Sequence, residues 1–142
     1  MASNLYNKGV LKLLDGTIDY LTDNIAILLV NNTYTFDRTH EFVSNISGEV
    51  SGTGYARKVV PSKTVSLNTA TNTVIFDCGT IEYTAVDVSD TLASAIVYAD
   101  GSTDADRALI ANIDFGDLAT SNADINIVTS DEGLFKVTNT IS

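Results

Sequence analysis

No apolar run in this chain exceeds six residues, and polar turn residues separate the runs. A membrane-spanning helix needs about 20 apolar residues, so none is expected here. Short strands joined by polar turns at close spacing point to an all-β fold, a compact β-sandwich or barrel-like domain. Thr, Ser and Asn supply the polar surface, because charged residues are only 18%. Thr is β-branched and suits a half-exposed pleated face.

The run 25–30, Ile-Ala-Ile-Leu-Leu-Val, is apolar on both faces, as in a central strand covered from both sides. Residues 93–98 and 108–115 form the clearest pair of strands. In the second, Leu109, Ala111, Ile113 and Phe115 alternate with Ile110, Asn112 and Asp114. Strands over 55–60 and 63–67 flank the single Pro61, which suits an edge or a bend. Residues 68–72 read as a hairpin loop leading into 73–77, and 17–21 as a short extended piece. Phe42 and Ile46 share a face of a helical turn within 39–46, and 49–54 is an exposed loop. Residues 124–129 and 134–138 form a last hairpin, turned at Ser130-Asp131-Glu132-Gly133, with Gly133 at positive φ.

One helix is expected, at about residues 4–15, ahead of a β-rich body over 17–140. Leu5, Tyr6, Val10, Leu13 and Leu14 recur every three to four residues as one apolar stripe. Ser3 or Asn4 can cap its start, and Gly16 sits where the chain would reverse. A helix this short is marginal alone, so the stripe docks either on the domain's own sheet or on a partner. The 142 residues fit a single domain, 1–142, whose core needs no disulfide or structural metal.

Eight basic against 18 acidic residues give a net charge of -10. That balance argues against nucleic-acid partners and against anionic membrane surfaces. The opening Met1-Ala2-Ser3-Asn4 shows no signal-peptide pattern. The lone Cys78 cannot form an internal disulfide, which leans toward synthesis in a reducing cytoplasm.

Motifs for chemistry are sparse. His40 is the only histidine, so any Ser-His-Asp or Cys-His site would have to use it, and it lies in a polar stretch without a motif. A zinc site lacks ligands. Asp100, Asp104 and Asp106 could gather around Ca²⁺, but the spacing is not that of an EF-hand and an acidic turn explains them. Gly48, Gly52 and Gly54 do not make a phosphate loop. Paired carboxylates for glycoside hydrolysis come without an aromatic groove, since the chain has no Trp. No catalytic residue, cofactor or metal is assigned. Arg57, Lys58 and Lys63 form the only basic cluster. They either guard an edge strand or dock an acidic partner. The candidate partner interface is therefore Leu5, Tyr6, Val10, Arg57, Lys58 and Lys63.

Three stretches near the start carry a family likeness: Asn4-Leu5-Tyr6-Asn7-Lys8-Gly9, Leu14-Asp15-Gly16-Thr17-Ile18-Asp19-Tyr20, and Asp23-Asn24-Ile25-Ala26-Ile27-Leu28-Leu29-Val30. Tyr34, His40-Glu41-Phe42, Ala95-Ile96-Val97-Tyr98, Leu109-Ile110-Ala111-Asn112-Ile113-Asp114 and Asp124-Ile125-Asn126-Ile127 continue it. The chain resembles a family of small structural proteins of tailed-bacteriophage virions. The family's usual Gly-Gly before the penultimate strand is Asn122-Ala123 here, and its usual Trp is missing. The resemblance implies a capsid decoration or cement protein, made in the host cytoplasm and bound to the capsid exterior. Its implied partners are the major capsid protein and neighbouring copies of itself, as a homo-oligomer or in an arrangement set by capsid symmetry. A tail, neck or fibre component is the alternative, and a small carbohydrate-binding or carbohydrate-active domain is a third.

Overall fold

The computed structural model describes residues 2–140. In chain order the elements are β1 (Ala2–Leu5), α1 (Asn7–Leu14), β2 (Ile25–Asn31), a 3-10 turn (Val43–Asn45), β3 (Lys58–Val59), β4 (Thr64–Asn68) and β5 (Thr73–Asp77). They continue with β6 (Ile81–Val86), β7 (Thr91–Ala99), β8 (Ala108–Ala119), β9 (Ala123–Ile127) and β10 (Phe135–Thr138). The fold is all-β with one short N-terminal helix, as the sequence pattern suggests. A five-stranded antiparallel sheet, ordered β1-β8-β7-β2-β3, is the scaffold. A three-stranded sheet, β10-β5-β4, and a ribbon, β6-β9, complete the set.

The scaffold sheet is filled on both faces. Ile25, Ile27 and Leu29 of β2 enter the larger core, with Leu92, Ala95 and Val97 of β7 and with Ile81, Tyr83, Ile125, Ile127 and Phe135 from the smaller sheets. The alternate residues Ala26, Leu28 and Val30 enter a second core with Tyr6, Val43, Ile96, Tyr98 and Leu109. All six residues of the run 25–30 are buried, which is why it carries no polar face.

The alternation expected along 108–115 breaks at one point. Val97 pairs with Ala111 but Tyr98 pairs with Leu109, so Ile110 is an extra residue. This bulge puts Ile110 and Ala111 into the same core and leaves Leu109 on the opposite face. A second irregularity, with Gly116 at φ 73°, separates the Ser94–Asp114 pair from Leu92–Leu118.

Three local expectations are corrected. The helix begins at Asn7, and Tyr6 is its N-cap in an extended conformation without a side-chain cap bond, so neither Ser3 nor Asn4 caps it. Residues 2–5 instead form β1, whose backbone groups pair along β8 from Asp114 to Ala111. Residues 17–21 form no strand: irregular backbone leads into a turn at Tyr20 and Leu21, where the Asp19 carboxylate accepts the N–H groups of Leu21 and Thr22 at 3.0 and 3.3 Å. Residues 124–129 and 134–138 are not a hairpin: β9 pairs with β6 and β10 with β5. The turn itself forms, with Gly133 at φ 72° and its N–H on Ser130 C=O at 2.9 Å. Leu134 N–H then bonds Phe76 C=O at 2.8 Å and Phe135 stacks on Phe76 at 4.7 Å, so the chain leaves toward β5. Burying Phe135 beside Phe76 and Tyr20 outweighs continued pairing with β9.

Candidate interaction surface

The N-terminal stripe is split between inside and outside. Tyr6 is fully buried, its hydroxyl 2.7 Å from that of Tyr34 and its ring 4.9 Å from Phe36. It is therefore a core residue and is not available to a partner. Leu5 and Val10 are half-buried, and Leu5 packs against the larger core. Helix α1 lies so close to β8 that a Cβ on Gly9 would stand 2.4 Å from Leu109 O and 2.8 Å from Ile110 Cα. Glycine removes the side chain at that contact. Leu14, by contrast, is 76% exposed, which the stripe did not suggest. At the helix C-terminus Gly16 has φ 85°, and Ile18 N–H returns to Lys12 C=O at 2.9 Å.

The basic cluster is engaged within the domain. Arg57 grips Glu49 with Nη2 on Oε1 at 2.7 Å and Nε on Oε2 at 2.9 Å. It also donates from Nη1 to Asp104 Oδ1 at 2.7 Å. Arg107 takes the same Asp104 Oδ1 and Asp100 Oδ1, each at 2.7 Å. Tyr55 adds its hydroxyl to Glu49 Oε2 at 2.6 Å. Hydrogen bonds from Arg57, then from Arg107, hold the Asp104 carboxyl down at about 2. Burial pushes Glu49 up, but the Arg57 and Tyr55 bonds outweigh it and its pKa is lowered. Lys58 lies over the Tyr83 ring at 5.1 Å, and Lys63 donates to Asp23 C=O and lies 5.9 Å from the Tyr20 centroid. The three side chains are thus divided among three internal contacts.

The same network accounts for the acidic loop. Asp100 and Asp104 hold arginines, and Asp106 Oδ1 accepts Thr103 N–H at 2.9 Å. Among the described residues, no group of three or more His, Cys, Asp or Glu is placed to hold a metal ion. His40 Nε2 lies 3.8 Å from Asp37 Oδ2, and its Nδ1 is buried without a partner. Burial, then the neighbouring Asp77, pushes the half-buried Cys78 thiol up to about 11, so at neutral pH it is protonated and a poor nucleophile.

What stands open is the rim of the three-stranded sheet. All five residues of β4 are exposed, and the strand has β5 on one side only. Val65 lies opposite Phe76, and Leu67, 64% exposed, lies opposite Val74. Val65 and Phe76 also line a groove with Leu13, Ile18, Tyr20 and Leu21. Leu21 is itself 51% exposed. Sequence reading passed over this surface, because Val65 and Leu67 alternate as a core-facing strand does. The signal that could have found it is charge: the thirteen residues between Lys63 and Asp77 carry none. Edge strands normally carry charge or proline to prevent pairing. No helix among the described residues is long and apolar enough to cross a membrane. Compared with known proteins, the chain matches no family model, no curated protein and no solved structure.

Proposed function

We propose that this chain is a structural protein of a tailed-phage virion that binds the capsid exterior as a decoration or cement protein and strengthens contacts between capsid subunits. The observation that carries a binding role is the uncharged, exposed strand β4 beside the Leu21–Val65 groove, on a chain of net charge -10. An apolar rim with depleted charge is what a protein–protein contact uses. The ionic side chains of the 49–107 network are committed to holding the fold. The virion assignment itself rests on the resemblance of residues 4–9, 14–20, 23–30 and the later stretches to that family.

Particles purified with and without this protein provide the test. The expected result is many tens to hundreds of copies per particle, with intact assembly but earlier release of DNA on heating when the protein is absent. A few copies per particle would move the assignment to tail, neck or fibre. Unchanged heat and osmotic tolerance would end the cement reading.

A further inference from the structure

We propose that β4 is the seam of a homodimer, in which two copies pair β4 against β4 antiparallel about a twofold axis at Ser66, joining two three-stranded sheets into one of six strands. Three observations lead to a second copy of this chain rather than to an unrelated partner.

The first is the register that a twofold at Ser66 imposes. It sets Val65 opposite Leu67 of the second copy and Leu67 opposite its Val65, while Thr64 meets Asn68. The strand is thus complementary to itself: apolar faces apolar and hydroxyl faces amide. A closed twofold contact requires that self-complementarity. Directly opposed β-branched and aliphatic pairs also stabilise antiparallel ladders.

The second is charge. Each copy carries -10, so most approaches set like charges together. The uncharged stretch between Lys63 and Asp77 lets two copies meet without that opposition at the seam.

The third is the groove beside the strand. Val65 lines it with Leu13, Ile18, Tyr20, Leu21 and Phe76, and Leu67 is left 64% exposed. Pairing brings Leu67 of the second copy to the mouth of this groove, over Val65. Each copy fills the other's groove, so one seam covers two apolar surfaces. The unpaired backbone groups along β4 are satisfied in the same step.

The proposal rests on the reading of this rim as a protein contact and assigns it to a second copy, so a contact with a shell would use another surface. Sedimentation tests the seam and copy number per particle tests the virion reading, so the two failures are separable. Sedimentation of the full chain should show a dimer, with association strengthened when NaCl is raised from about 0.05 to about 0.5 M, because screening weakens the repulsion between copies. Leu67→Lys should weaken dimerisation at least tenfold while leaving the monomer's melting temperature unchanged, since the side chain is on the surface. In a Cys78→Ser background, Ser66→Cys should oxidise to a covalent dimer, because residues facing across an antiparallel pair lie within disulfide reach, at about 4.5–5.5 Å between Cα atoms. Thr71→Cys, beyond the end of the strand, should not. A chain that sediments as a monomer at high micromolar concentration, with Ser66→Cys failing to crosslink, would overturn the proposal. So would a dimer indifferent to Leu67→Lys, or crosslinking as rapid at Thr71 as at Ser66.

Discussion

Strands β2 and β4 are both short and uncharged, yet the fold treats them in opposite ways. β2 sits between β7 and β3 with cores on both faces, and six of its seven residues are buried. β4 sits at the rim with one neighbour, and every one of its residues is exposed. Hydrophobicity at β2 is spent on folding. At β4 it contributes little to the fold, so it carries information about what lies outside the domain. The contrast separates residues whose replacement unfolds the protein from residues whose replacement changes its associations.

The sharpest way to break that contrast is at the scaffold. Gly9→Val should cost about 4 kcal/mol, because the added carbons meet backbone atoms of Leu109 and Ile110 that cannot step aside. Denaturant unfolding followed by circular dichroism measures it. Leu29→Ala, inside the larger core, should cost about 3 kcal/mol with an unchanged m-value. Arg57→Ala should cost about 2 kcal/mol, less than a fully buried pair because the ions are partly exposed. Arg57→Lys should recover only part of it, since an ammonium cannot match the two-pronged contact with Glu49.

Acid tests the same network. Glu49, Asp100 and Asp104 all have lowered pKa values in the folded state. The unfolded chain therefore binds protons first, near pH 4, and the stability these carboxylates contribute above that pH is lost as pH falls toward the folded value of about 2 for Asp104. Melting temperature should decline over that window, and Arg57→Ala should flatten the decline. The smallest effect belongs to the rim. Leu67→Thr should change monomer stability by no more than about 0.5 kcal/mol, and a larger loss would show that β4 shares in the core after all.

The three central scaffold strands, β2, β7 and β8, were readable because their signal is local. The run 25–30 has no polar face, and 93–98 with 108–115 carry apolar runs parted by an acidic loop. Strand β6 went unread although Ile81 and Tyr83 alternate with Glu82 and Thr84, because the bulge at Ala85, φ 51°, cuts the pattern after four residues. The parting of β9 from β10 was also invisible, because a four-residue turn specifies a reversal but not which neighbour the next strand will take. That choice depends on Phe76 and Tyr20, far away in sequence. Leu13 and Leu14 show the same limit at the surface. Periodicity places both on one stripe, while Leu13 lies four residues after Gly9, on the face toward β8, and Leu14 lies a further step round the helix and is exposed. Arg57, Lys58 and Lys63 read as one basic patch because sequence counts charges and cannot see the Glu49 and Asp104 that neutralise Arg57.

The pairing of Leu5 with Ala111 has a consequence for how the chain reaches this state. The first strand cannot find its neighbour until residues 111–114 are available, and β2 must likewise wait for β7. Such distant pairings close large loops before any contact rewards them, and domains built this way fold in milliseconds to seconds rather than microseconds. The β4–β5 hairpin, closed by residues 69–72, can form long before that. During synthesis an uncharged edge is therefore on display while the scaffold that should anchor it is still incomplete. The strand most suited to meeting a second copy is also the one most prone to meeting it too early. Yield of soluble protein should accordingly fall as expression temperature and rate rise, and charge introduced at Leu67 should restore it.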